Sequence, residues 1–296
     1  MKFTERLGVA WRVLTDRHYL HVPRGHIYSP LPSPADVARA EAATRNRPLA
    51  DDTFPGIDLR LANQWALLDD LVDAFPDMAG WVASDQPTRY RYDNRWFTGS
   101  DALIGALVVA RLAPARLVEV GCGFSSALLL DVTERFCAAT QFTFIDPDPD
   151  RLRSLADATD LDGRLMDGRV QDVDPAVFAR LRAGDVVCID SSHVVRADSD
   201  VHHLLLEVIP TLAPGVWIHI HDIFGFFSYP GRWLRTGVAV NEGYMLRALL
   251  VGNAGLEVMV WNAALELDDP ARWARLIGGL PDSPVETGGV WLRTTG

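Results

Sequence analysis

RLVEVGCGFSS (116–126) runs from a short apolar, β-branched stretch through a glycine-rich turn into the first residues of a helical pattern. A buried strand that stops at glycine and feeds a helix is the opening of a βαβ unit. Downstream, SSALLLDVTERF reads as a helix and FTFID (142–146) as a strand. DPDRLRSLADA is helical with an acidic first turn, a weak strand precedes Gln171, and a helix covers about 175–181. DVVCID (185–190) is a strand, SDVHHLLLEVIPTL a helix, GVWIHIHD (215–222) a strand and NEGYMLRALLVGN a helix. LEVMVWN (256–262) and GGVWLRT (288–294) are the last strands, joined by the insert ELDDPARWARLIGGLPDSPVETG. Alternating strands and helices imply parallel pairing with both sheet faces covered, and near-continuously apolar strands agree with that. The expectation is an α/β fold, a Rossmann-like doubly wound sheet of seven strands with helices on both faces.

That regular pattern begins near residue 99, so 99–296 is expected to be the catalytic domain and 1–98 an N-terminal cap or oligomerisation region, mostly helical or irregular. HVPRGHIYSPLPSPADV (21–37), rich in proline, reads as irregular and extended. IDLRLANQWALLDDLVDAF (57–75) places its apolar residues on one helical face and stops at Phe75-Pro76. Such an amphipathic helix fits a lid and a dimerisation arm alike, and a homo-oligomer is one expectation. RYRYDNRWFTGSD (89–101), aromatic and polar together, suits either a ligand-facing surface or packing against the main domain.

The 296 residues carry a formal net charge of -11 with no basic stripe, which argues against a nucleic-acid partner. No apolar run is long enough to span a bilayer, and the opening stretch is broken by charges, so a cytoplasmic location without a membrane partner is expected. Three isolated cysteines form neither a disulfide framework nor a zinc motif.

In an open α/β sheet, ligands bind beyond the carboxyl ends of the strands. The first strand ends at Gly121 and Gly123, where missing side chains allow close backbone approach and a helix N-terminus follows. Ser126 stands where a dinucleotide fingerprint has its third glycine, which weakens a nicotinamide reading. Glu119 is an ionisable group inside an apolar strand, suited either to a cationic ligand group or to a buried structural partner. Asp146, ending the second strand, is placed for a ribose; Gln171 and Asp172, after the third, are placed for an adenine edge, although Asp172 also suits a helix cap. The fourth strand ends in Asp190-Ser191-Ser192-His193 and the fifth in His219-Ile220-His221-Asp222. Two histidines and two carboxylates converging there make His193, His221 and Asp222 the catalytic candidates, with imidazole as proton acceptor. Tyr229, Trp233 and Asn241, in the aromatic and glycine-rich segment 224–242, are candidates for acceptor contact.

Taken in order, VEVGCGFSS, FTFIDPD, GRVQDV, DVVCIDSSHV and PGVWIHIHDIF resemble the motifs of class I S-adenosylmethionine-dependent methyltransferases. The match is nearest to the branch that includes macrocin O-methyltransferase-like enzymes of secondary metabolism, and it covers about 92–294. It implies the sheet order 3-2-1-4-5-7-6 and S-adenosylmethionine as cofactor. It also places Glu119, Gly121, Gly123 and Ser125 in the cofactor loop, Asp146 on the ribose and Gln171 or Asp172 by the adenine. Asp190 and Asp222 match positions where relatives of the catechol O-methyltransferase type hold magnesium, with His221 in place of a further carboxylate. Magnesium and a metal-free site with a histidine base both stay open. The expected reaction is methylation of a small-molecule acceptor, on oxygen in the first instance. Nitrogen or carbon methylation, a nicotinamide-dependent oxidoreductase and a non-catalytic cofactor binder are the rivals.

Overall fold

Seven strands form one sheet in the order β3-β2-β1-β4-β5-β7-β6 in the computed structural model, which describes residues 22–137, 139–283 and 285–296. The strands are β1 (Arg116–Val120), β2 (Gln141–Asp146), β3 (Leu165–Asp167), β4 (Val186–Ile189), β5 (Trp217–Ile220), β6 (Leu256–Trp261) and β7 (Val290–Thr294). β1 to β5 pair in parallel. β7 enters antiparallel between β5 and β6. Strand number, order and the doubly wound class are as expected. The antiparallel entry of β7 follows from pairing geometry that periodicity does not encode.

The central strands are apolar because helices cover both faces; β4 and β5 are buried at every position. Helix Gly99–Leu112 is almost wholly buried, and helix Phe124–Phe136 packs beside it. Sheet order reverses at β1, whose two neighbours are β2 and β4, so the carboxyl ends of β1, β2, β4 and β5 open on one crevice edge.

Two compact units make up the chain: one holds Pro48–Ser228 and Val240–Gly296, the other the described residues 22–47 with Tyr229–Ala239. Residues 48–98 belong to the same compact unit as the sheet. The cause is helix Leu61–Ala74, whose buried face (Leu61, Gln64, Trp65, Leu68, Leu71) packs on β6, with the Gln64 Oε1 accepting the Trp261 N–H at 2.7 Å.

Within the smaller unit, 21–37 is not irregular throughout. A helix starts at Pro34, because Ser33 and Asp36 form a reciprocal capping box and proline suits the first turn. The Arg24 guanidinium donates to the Leu234 carbonyl at 2.6 Å, and Glu41 pairs with Arg235. The insert between β6 and β7 holds two helices, Asn262–Asp268 and Pro270–Ile277. The stretch 200–211 divides into one α-helical turn, a π-helical turn and a 3₁₀ turn at Pro210. Among the described residues, no helix is long and apolar enough to cross a membrane.

Candidate active site

The β1 end is shaped by backbone. Gly121 has φ +82°, and a Cβ there would collide with the Asp190 carbonyl, so β1 and β4 approach closely only with glycine at this position. The Cys122 N–H donates to Asp146 Oδ2 and the Asp148 N–H to Asp146 Oδ1, each at 2.7 Å. Asp146 thereby ties the glycine turn to the end of β2. Ser126, the residue in place of a third glycine, uses its Oγ to accept the Gly123 N–H at 2.9 Å. Ser125 is buried next to it.

Glu119, in β1 just before this turn, has no exposed surface, and neither carboxylate oxygen has a hydrogen-bond partner among the described residues. Burial pushes its carboxyl up to about 8; the Ser125 and Ser126 hydroxyls, beside it without hydrogen-bond geometry, offset only part of that shift. A fully buried pair of unpartnered oxygens is costly unless a ligand supplies the donor. Gln171, by contrast, spends its amide on the Asp198 carbonyl at 2.8 Å, and Asp172 is an exposed residue of a 3₁₀ turn.

The β4 and β5 ends are shaped by charge. His193 has a left-handed backbone, φ +57°, and so has Asp222, φ +56°. The His193 Nε2 lies 3.3 Å from Asp190 Oδ1 and 3.6 Å from Asp222 Oδ2, while Nδ1 lies 2.8 Å from Glu242 Oε2. Burial favours the neutral ring, but Asp190 and Glu242 outweigh it and hold the His193 pKa well above the usual histidine value. Burial likewise opposes ionisation of Asp190, yet His221 and His193 bring its carboxyl down to about 2.

His221 is buried, and its Nε2–H donates to the Trp96 carbonyl at 3.3 Å. Its Nδ1 lies 3.9 Å from Asp101 Oδ2, and Nε2 lies 3.6 Å from Asp222 Oδ1. Asp101 is itself buried; its Oδ1 accepts the Asn262 amide at 2.5 Å, and burial pushes its carboxyl up to about 6. The His219 ring centroid lies 6.0 Å from that of His221. Among the described residues neither His219 nitrogen has a hydrogen-bond partner, and burial lowers its pKa to about 3, so it is neutral core packed on Trp291.

Trp96 and Asp101 fall in the aromatic stretch 89–101 and Glu242 ends the segment 224–242, but spacing does not single out any of the three. Trp96 stacks on Phe124 with centroids 5.8 Å apart and carries the Arg151 guanidinium 4.5 Å from its ring centroid. The Asn241 side chain is committed to the Val195 backbone, accepting its N–H at 2.5 Å and donating to its carbonyl at 3.3 Å. Tyr229 and Trp233 stack on each other, centroids 6.5 Å apart, in the smaller unit.

Magnesium prefers an octahedron of oxygens. Asp190 and Asp222 instead converge on the His193 ring, and His221 turns Nε2 onto the Trp96 carbonyl. Among the described residues no group of three His, Cys, Asp or Glu side chains is placed to hold a metal ion. The residues so arranged do not fit magnesium. The adenosyl cofactor fits better, because orphaned Glu119 offers a carboxylate at the glycine turn.

A sheet in this order, with a glycine turn after β1 and acidic strand ends, defines the architecture of a class I S-adenosylmethionine-dependent methyltransferase. Residues 118–223 match the family model described as "Methyltransferase domain", and the protein is an S-adenosylmethionine-dependent methyltransferase. An uncharacterized protein of Archaeoglobus fulgidus is 30% identical over 163 residues, 54% of this chain and 73% of that protein. Among solved structures, the Podospora anserina methyltransferase PaMTH1 with bound SAH is 13% identical, covering 88% of this chain and 95% of that one, at TM-score 0.42. The O-methyltransferase TomG of Streptomyces achromogenes, involved in tomaymycin synthesis and bound to SAM, is 11% identical over 88% and 96%, at TM-score 0.42.

Proposed function

We propose that this methyltransferase transfers the methyl group to an oxygen of a small-molecule acceptor, with His193 as general base. The observation that carries the reading is the His193 ring, tied at Nδ1 to Glu242 and facing Asp190 and Asp222 with Nε2. When bound, S-adenosylmethionine supplies an electrophilic methyl on a sulfonium. Glu119 holds the cofactor's cationic amino group and becomes ionised in doing so, Gly121 and Gly123 give it backbone access, and Asp146 faces the ribose. On the acceptor side, neutral His193 takes the hydroxyl proton at Nε2 as the oxygen attacks. Asp190 and Asp222 then stabilise the imidazolium so formed, the role carboxylates play beside catalytic histidines generally. His221, hydrogen-bonded to the Trp96 carbonyl, helps keep Asp190 ionised.

The acidic balance of the chain supports a small neutral or cationic acceptor over a nucleic acid. A place among macrocin O-methyltransferase-like enzymes of secondary metabolism is supported by the DVVCIDSSHV and WIHIHDIF motifs. The test is single-turnover transfer of a labelled methyl group to a panel of hydroxylated, amine-bearing and carbon-acid acceptors, using wild type and His193→Ala. Oxygen methylation that the substitution abolishes supports the reading. Transfer only to nitrogen or carbon, or transfer that the substitution leaves unchanged, contradicts it.

A further inference from the structure

We propose that Glu242 is the positioning residue of the active site: it fixes the tautomer and the aim of His193 from a helix that contributes no strand-end motif. The inference rests on His193 serving as the base. Glu242 is the first residue of helix Glu242–Leu250, where a carboxylate is favoured by the positive end of the helix dipole. It is fully buried, and its Oε2 is 2.8 Å from the His193 Nδ1. Its Oε1 has no hydrogen-bond partner among the described residues, so His193 alone compensates for taking this carboxylate out of water.

The backbone around this pair is clamped as well. His193 sits at φ +57°, a conformation that a non-glycine residue holds only when its surroundings impose it. The imposition comes from the same helix start. The Asn241 and Glu242 N–H groups donate to the His193 carbonyl at 2.9 and 3.2 Å, and the Asn241 side chain brackets the Val195 backbone. Asn241-Glu242 thus grips the loop after β4 by main chain and side chain together. With Nδ1–H committed to Glu242, Nε2 is the nitrogen left to exchange a proton. The groups facing the ring from the surrounding elements are Asp190 at the end of β4, Asp222 and His221 at the end of β5, and Glu242 itself.

The test uses the full chain labelled with ¹⁵N at histidine, His193 being assigned by its loss in His193→Gln. In wild type, the His193 Nδ1 proton is expected at low field and Nδ1 remains protonated across the folded pH range. Glu242→Leu, close in volume but without an acceptor, loses that signal and lets the neutral ring sample both tautomers, while the dissociation constant for S-adenosylhomocysteine stays within about twofold. Glu242→Gln keeps the shape and an acceptor, so the proton signal persists but moves upfield as the bond loses its charge. Ring signals unmoved in either folded variant overturn the proposal, and the Gln variant decides if the Leu variant does not fold. Wild type that fails to bind S-adenosylhomocysteine is a separate failure: it removes the cofactor reading, whatever the ring signals show.

Discussion

The two halves of the crevice are built by opposite means. At β1 and β2 the site consists of missing side chains and committed backbone: Gly121 at φ +82°, two N–H bonds into Asp146, and one buried carboxylate, Glu119, without a partner. At β4 and β5 it consists of ionisable side chains: the His193 imidazole among three carboxylates, with His193 and Asp222 both on left-handed backbone. The first half is complementary to a ligand that brings its own positive charge. The second is prepared to gain and lose a proton. A methyl-transfer enzyme needs both, and under the proposed function cofactor affinity belongs to one half and turnover to the other.

Substitutions that strike one half and spare the other would break this contrast. The largest effect is expected from His193→Ala, with methyl transfer to any accepted acceptor falling by about 10²–10⁴-fold while S-adenosylhomocysteine affinity holds. The same residue sets the pH dependence. A base must be neutral, and the His193 pKa is raised by Asp190 and Glu242 against burial, so single-turnover rates should climb as pH rises through that raised value, above 6.5. A rate that falls over that interval would assign the proton transfer to another group.

Next in size is Gly121→Ala, which forces an L side chain into φ +82° against the Asp190 carbonyl. A loss of about 1–3 kcal/mol from the backbone conformation is expected before the clash is added, read as a fall in thermal midpoint.

A smaller and more specific effect belongs to Glu119→Gln. Affinity for S-adenosylhomocysteine should drop about tenfold, or ~1.4 kcal/mol. Because burial lifts the Glu119 carboxyl to about 8 in the free protein, it is protonated at neutral pH, and ionising on binding releases a proton. Calorimetry at pH 7 in buffers of different ionisation enthalpy should detect that release in wild type and not in the variant. The stability sign follows from the same shift. A folded pKa above the unfolded value of 4.5 gives a contribution that is complete below 4.5 and lost as pH rises through about 8. Glu119→Gln should therefore raise the thermal midpoint of the ligand-free protein at pH 9 more than at pH 5.

How much of this was readable beforehand follows the same division. Strand ends are legible because βαβ geometry delivers them to one edge, so Glu119, Gly121, Asp146, Asp190, His193, His221 and Asp222 could be named from spacing alone. Glu242, Asp101 and Trp96 were not, since their partners lie far away in the chain and only the fold brings Glu242 to His193 or Asp101 to His221. Asn241 was legible as a polar residue in a ligand-like segment, but its amide is spent on Val195. Gln171 likewise donates its amide N–H to the Asp198 carbonyl, a long-range contact that spacing does not show. The helix Pro34–Thr44 is a different case: Ser33 and Asp36 carried a readable capping box that the neighbouring prolines obscured.

The division of labour between the two halves is tested most directly by titrating S-adenosylhomocysteine calorimetrically into wild type, Glu119→Gln and His193→Ala side by side. The expected result is one-site binding in all three, weakened about tenfold by the glutamate substitution and unchanged by the histidine one. Equal losses in both variants, or no heat of binding in wild type, would contradict it.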